Sequence, residues 1–181
     1  MSDGGEPLAW RQLSTKPVYA NPWMSLREDQ VLMPDGNTTV YGVITTAPAM
    51  GILPFLDDDT VVMVQQWRYV AGRTTWEMPT GGAHPGETLI EAAQRELTEE
   101  IGYRAGHLEH LSTFNTSKSI MDETAHLFVA RDLERAAAVP DATEFIVVRE
   151  FAFDDVLSMV RRGEIVDAMT IIAVLLAARY R

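Results

Sequence analysis

The chain has 181 residues, 46% of them hydrophobic, a formal net charge of −11, a pI near 4.7 and no cysteine. That length and apolar share predict one globular domain with a full core. The acidic balance argues against nucleic acid and anionic membrane surfaces as partners, and the lack of cysteine excludes disulfides and thiol chemistry.

Residues 1–9 are expected to be disordered. The opening MSDGGEPLAW has no basic-then-apolar order, so no signal peptide is expected and the cytoplasm is the default location. From Trp10 to Met33 the pattern suggests two short strands, and Pro34-Asp35-Gly36-Asn37 then reads as a turn before a third strand over residues 38–45. Residues 10–45 are therefore expected to form a small N-terminal sheet with Trp10 and Trp23 as apolar anchors. A sheet of that size is marginal alone and must pack on its own domain or on a second subunit.

From Gly51 the strands read as buried. Gly51-Ile52-Leu53-Pro54-Phe55-Leu56 and Val61-Val62-Met63-Val64-Gln65-Gln66 flank Asp57-Asp58-Asp59, which is expected to be a turn, because adjacent residues in a tight turn point apart. Trp76-Glu77-Met78-Pro79 is a short strand, and residues 110–114, 125–130 and 145–149 are strand-like. A helix is expected over residues 154–162, stopped by Gly163. Asp167 can cap a last helix over 168–179, with Ile171, Ile172, Leu175 and Leu176 on its buried face. The longest apolar run, 171–178, is too short to span a bilayer. This order of elements predicts an α/β fold, an α/β/α sandwich with a mixed sheet between helices, over residues 46–181.

The chemistry gathers in GGAHPGETLIEAAQRELTEEIGY, from Gly81 to Tyr103. Gly81-Gly82 and Pro85-Gly86 supply turns, Gly102 stands where a C-cap glycine stops a helix, and Ile90, Ala93, Leu97 and Ile101 make one apolar stripe. At roughly 100° per residue, Glu96, Glu99 and Glu100 fall within about a quarter-turn of one another. Arg95 can pair with Glu99 but cannot neutralise three carboxylates. Hard oxygen ligands on a rigid helix, with no histidine or cysteine among them, suit Mg2+ or Mn2+ rather than zinc. A plain acidic face is the alternative, and the fixed spacing weighs against it: five residues separate Gly81 from Glu87 and seven separate Glu87 from Arg95.

That spacing, G-x5-E-x7-R-E-L-x-E-E-x-G-Y, resembles the signature of the Nudix hydrolases, with Tyr103 where the family often carries an aliphatic residue. The likeness continues outside the box. Gln66-Trp67-Arg68-Tyr69, Trp76 to Gly81, the segment from Asn21 through Arg27-Glu28, and Gly163 to Thr170 are similar to segments of the ADP-ribose and nucleoside-diphosphate-sugar pyrophosphatases. The resemblance implies a metal-dependent hydrolase of a pyrophosphate bond. Glu96, Glu100 and Glu99 would be metal ligands, joined by the backbone carbonyl of Thr80. Arg95 would orient the carboxylates and Glu87 would fix the loop to the helix. A carboxylate on the loop after the box would activate water, with Glu144 first and Asp141 second. Arg68, Arg27, Glu28, Lys118 and Glu123 would meet substrate. The relatives form homodimers in which the N-terminal sheet crosses to the partner.

One segment departs from the pattern. Where ADP-ribose enzymes carry Ser-Pro-Gly with a Glu shortly after, this chain has Thr116-Ser117-Lys118-Ser119-Ile120-Met121-Asp122-Glu123. Glu123 keeps its place, and a GDP-sugar, a UDP-sugar or ADP-glucose stays open beside ADP-ribose. Two other readings stand beside this one: a nucleoside triphosphate pyrophosphatase, and a domain that senses ADP-ribose without turnover. Trp67, Tyr69 or an N-terminal aromatic would stack the base. The four histidines read as structural, with His84 the one expected to line the site.

Overall fold

The computed structural model describes residues 8–137 and 145–179. The chain divides into two compact units. The first runs to Ala47 and also takes in Asn115–Glu123, while the second is built from Pro48–Phe114 and the chain from Thr124 onwards.

The first unit is a sheet ordered β1-β2-β3-β9, from β1 (Arg11–Ala20), β2 (Met24–Leu32), β3 (Thr38–Thr46) and the two-residue β9 (Met121–Asp122). β2 and β3 pair antiparallel in unbroken register from Met24↔Thr46 to Leu32↔Thr38. The hairpin forms where the turn residues predict it. Asp35 Oδ1 accepts the Asn37 N–H at 2.9 Å, and Gly36 takes φ 86°. β1 is an edge strand with an irregularity at Pro17, the kind of place where a missing N–H is tolerated. Every residue of β1 is exposed. Successive strand residues point to opposite faces, so neither face of β1 is covered.

The second unit carries β4 (Ala49–Pro54), β5 (Thr60–Arg68), β6 (Arg73–Glu77), β7 (Thr80–Gly82), β8 (Tyr103–Asn115), β10 (Thr124–Arg135) and β11 (Val147–Ala152). They form two sheets, ordered β7-β4-β10-β8 and β11-β5-β6. β4 pairs parallel with β10 and antiparallel with β7, so the sheet is mixed. The helices are α1 (Leu89–Ile101), α2 (Phe153–Arg161) and α3 (Ala168–Arg179). Strand alternation sorts the core into two layers. Met50, Ile52, Val62 and Val64 pack with Ala92, Ala93 and Leu97 of α1. Leu53, Val61 and Met63 point the other way, against Phe153 and Val156 of α2 and Ala173, Val174 and Ala177 of α3. The expected α/β/α sandwich is thus two apolar layers, one on each side of the strands.

Local chemistry explains the ends of α1. Thr88 caps it through the Glu91 N–H while Glu91 reaches back to the Thr88 N–H, a reciprocal capping box. Gly102 ends it in the left-handed region at φ 68°. Asp57 Oδ1 accepts the N–H groups of Asp59 and Thr60, so the three aspartates form a turn as expected.

Several expectations need correction. Trp10 is 51% and Trp23 79% exposed, so neither anchors a core, although Trp10 packs edge-on against Tyr41. Ile90 lies outside the buried stripe of α1, which comprises Ala92, Ala93, Leu97 and Ile101 with Glu96 and Glu100. The fully buried residues of α3 are Thr170, Ala173, Val174 and Ala177; of the four expected, Ile171 and Ile172 are partly buried against that core, Leu176 is half-buried and Leu175 is exposed. An almost uniformly apolar helix carries no stripe from which its buried face can be read. The strand expected over 110–114 starts at Tyr103 directly after the glycine cap, and the strand expected over 145–149 is Val147–Ala152. Tyr103 is buried with the α1 layer, and the Arg135 guanidinium lies 5.2 Å from its ring centroid.

Candidate active site

The seam from Glu77 to Gly82 connects β6 to β7, and the functional side chains of the second unit meet along it. Arg95 is the hub. Its Nε donates to Glu87 Oε1 at 3.0 Å, Nη1 to Glu96 Oε1 at 2.7 Å and to Glu99 Oε2 at 2.9 Å, and Nη2 to the Gly82 carbonyl at 2.8 Å and Glu87 Oε2 at 3.1 Å. A guanidinium has five N–H donors in a fixed fork, and these five bonds use them all. Desolvation works against the Arg95 charge, but the bonds to Glu87, Glu96 and Glu99 outweigh it and raise its pKa. Arg95 therefore acts on its neighbours' carboxylates and has no N–H left for a phosphate.

Glu87 also accepts the His84 N–H at 2.9 Å, which ties the turn to the helix. The Arg95 hydrogen bond, more than any other influence, holds the Glu87 carboxyl below the usual glutamate range. His84 itself is exposed.

Glu96 and Glu100 stand one turn apart, each only 6% exposed. A β-carbon at Gly81 would fall on the Glu96 carboxylate, so glycine is what lets that carboxylate lie against the loop backbone. Glu100 Oε1 accepts the Thr80 N–H at 3.4 Å. Glu99 is the most exposed of the three, with 31% of its side chain reaching solvent. Hard oxygen donors of like charge, two of them nearly buried against the Thr80–Gly81 backbone, fit Mg2+ or Mn2+ by chemical type. They do not form a ready-made cage: among the described residues no three acidic or histidine side chains converge as a metal cluster. The Arg95 fork holds Glu96 and Glu99 instead.

Arg68, at the end of β5, donates through Nε to Glu77 at 2.9 Å and through Nη2 to Thr80 Oγ1 at 3.2 Å. Glu77 is 2% exposed, and burial pushes its carboxyl above the usual range against the pull of Arg68. Arg68 thus forms an ion pair with Glu77, while 41% of its side chain still faces solvent. Tyr69 is 90% exposed and Trp67 is also exposed, so both rings are available for stacking.

Arg27, Glu28, Lys118 and Glu123 belong to the first unit. Arg27 pairs with Asp29 at 3.2 Å and donates to Thr45 Oγ1 at 3.0 Å, a pairing along the strand surface. Glu28 is exposed on β2, and Lys118 is exposed in a turn. Glu123 Oε1 accepts from Thr46 Oγ1 at 2.9 Å. The candidate bases Glu144 and Asp141 lie outside the described residues.

Two structural devices of the site were not anticipated. Gln94 bonds both the carbonyl and the N–H of Ala105, clamping α1 to β8, and a glutamine between Ala93 and Arg95 carries no signal for this. Thr88 and Glu91 form the capping box, and their Thr-x-x-Glu spacing is a legible signal.

Known proteins bear on this geometry. A NUDIX domain model matches residues 45–169, and a model of the nucleoside diphosphate sugar hydrolase N-terminal domain matches residues 10–44. The chain is 31% identical over 166 residues to a methanol dehydrogenase activator of Bacillus methanolicus, covering 91% of this chain and 90% of that protein. It is 30% identical to an ADP-ribose pyrophosphatase of Bacillus subtilis (strain 168), with the same coverage of 91% and 90%. A crystal structure of an ADP compounds hydrolase superposes with a TM-score of 0.86 at 20% identity, covering 97% of this chain and 96% of the other, which is a likeness of fold.

Proposed function

The chain belongs to the Nudix hydrolases, and from that membership we propose that it hydrolyses the pyrophosphate bond of ADP-ribose or a related sugar nucleotide. The products are a nucleoside monophosphate and a sugar phosphate. The observation that carries this reading is the Arg95-centred carboxylate set beside Thr80–Gly82, on a chain that also has the sugar-nucleotide hydrolase N-terminal domain. A triphosphate pyrophosphatase has no call for that N-terminal domain. A non-catalytic sensor has no call for the complete set of Glu96, Glu99 and Glu100.

In the reaction, water adds to one phosphorus, the bridging P–O bond breaks, and the proton lost by water must be taken up. Glu96, Glu100, Glu99 and the Thr80 carbonyl would hold Mg2+ or Mn2+. When bound, such an ion offsets the charge of the diphosphate and makes water more acidic. Arg95 keeps Glu96 and Glu99 oriented, and Glu87 keeps Arg95 in place. Arg68, braced by Glu77, offers its solvent-facing edge to a phosphate. Glu144 would take the proton, with Asp141 as the other carboxylate of that loop. Arg27 and Glu28 would meet substrate from the N-terminal sheet of a second copy, in a homodimer that covers the exposed faces of β1, and Lys118 and Glu123 would meet it from the segment that follows β8.

The test is release of monophosphate from ADP-ribose, ADP-glucose, GDP-mannose, UDP-glucose and nucleoside triphosphates, each with Mg2+. Turnover of one or more sugar nucleotides is expected, and activity confined to triphosphates would refute the substrate class. Glu96→Gln should lower turnover by about a hundredfold or more while the circular dichroism spectrum is unchanged. A Glu96→Gln protein as active as the wild type would remove the metal assignment.

A further inference from the structure

The Gly163–Thr170 stretch plays no part in the chemistry above, yet it ends in a buried polar contact with the seam. Thr170 is fully buried. Its Oγ1 lies 2.6 Å from Asp167 Oδ2, and the Thr170 N–H donates to the same carboxylate oxygen at 2.7 Å. A hydroxyl has one proton, and here Asp167 takes it, so Oγ1 is left as an acceptor. What it accepts is the Met78 N–H, at 3.1 Å across 92 residues of sequence.

Met78 sits where the chain leaves β6 and has not yet entered β7. Met78 is fully buried, and the next residue is Pro79, which has no N–H. A buried amide without an acceptor is strongly disfavoured, so the conformation of this step depends on Thr170. The step leads directly to Thr80, which meets Glu100, and to Gly81, which has room only for the Glu96 carboxylate. Packing reinforces the contact. Gly51 pairs with Thr80, and a β-carbon there would run into the terminal methyl of Met78 and lie 3.0 Å from that of Met169.

We propose that Thr170, polarised by Asp167, is a positioning residue of the hydrolytic site, acting through the Met78 N–H to seat Thr80 and Gly81 against Glu100 and Glu96. This rests on the reading of those carboxylates and the Thr80 carbonyl as the metal-holding set.

The test compares Thr170→Val, which keeps the shape and loses the acceptor, with Thr170→Ser, which keeps the hydroxyl. Mn2+ binding is read by isothermal titration without substrate, and kcat and KM are measured on the best sugar nucleotide well below every variant's melting temperature. Thr170→Val should bind Mn2+ about tenfold more weakly and lose kcat by about tenfold or more, with KM little changed. Thr170→Ser should stay within about threefold of wild type in both. A Thr170→Val protein that melts earlier but keeps wild-type Mn2+ affinity and kcat would overturn the proposal, since its role would be structural alone. Should Thr170→Val fail to fold, Asp167→Ala at the partly exposed end of the contact takes its place, and wild-type Mn2+ affinity and kcat there would equally overturn it. If the wild type binds Mn2+ but hydrolyses no sugar nucleotide, the proposed function falls while the Mn2+ comparison still decides the role of Thr170. A wild type without measurable Mn2+ binding would overturn both.

Discussion

Arg95 and Gly81 illustrate how little freedom the site residues have. The Arg95 fork is saturated by Glu87, Glu96, Glu99 and the Gly82 carbonyl, and Lys cannot reproduce a planar five-donor fork. Gly81 is required by space, because a methyl group there occupies the position of the Glu96 carboxylate. Gly81→Ala should therefore displace Glu96 and lower kcat by about a hundredfold, the scale expected for a misplacement near 1 Å. A Gly81→Ala enzyme with wild-type kcat would mean that Glu96 has other room to occupy. Glu87 adds a pH dependence. Its pKa is lowered below the ordinary 4.5, mainly by Arg95, so its ionised form is favoured in the fold. That stabilisation is present above pH 4.5 and is lost as pH falls through the lowered value in the folded protein. The difference in urea midpoint between wild type and Glu87→Gln should be largest near neutral pH and close in the acid range. A difference independent of pH would show that the ion pair contributes nothing to stability.

At the scale of an element, α1 carries the site and is stopped at both ends by side-chain-scale devices. Thr88→Ala removes the capping box and should cost about 1 kcal/mol. Gly102→Ala forces a β-carbon into the left-handed region and should cost about 1–2 kcal/mol. The two caps stand about 20 Å apart, at roughly 1.5 Å of rise per residue, so the losses should add in the double variant. Urea denaturation measures this, and a double variant no less stable than either single one would mean the helix ends are coupled. α3 behaves differently. Its sequence is apolar on nearly every side, and Leu175 is exposed while Thr170 is buried.

The two units set the terms for the whole molecule. The second has two apolar layers of its own, each closed by helices. The first exposes Trp10, Leu13, Val18, Tyr19 and Val40 on a sheet with no helix. An uncovered apolar sheet invites association, and the proposed homodimer follows from it. Sedimentation at micromolar concentration should give twice the chain mass, and Leu13→Asp with Tyr19→Asp should shift the protein to monomer and weaken substrate binding. A fully active monomer at every concentration would remove the second copy from the site.

Much of this was legible in the residues themselves. The Gly81, Glu87 and Arg95 to Glu100 spacing identifies the family, because the chemistry needs those side chains at fixed helical intervals. The turn at Pro34 to Asn37, the Gly102 stop and the Asp167 cap are encoded by neighbours a few residues apart, so local physics suffices for them. Tertiary structure alone decided what depends on distant partners. It showed the Arg95 fork filled, Arg68 braced by Glu77, Gln94 clamped to Ala105, and Thr170 turned into the seam at Met78. Each of those contacts joins residues whose nearness is created by folding, and a linear pattern holds no record of a neighbour that arrives from another element.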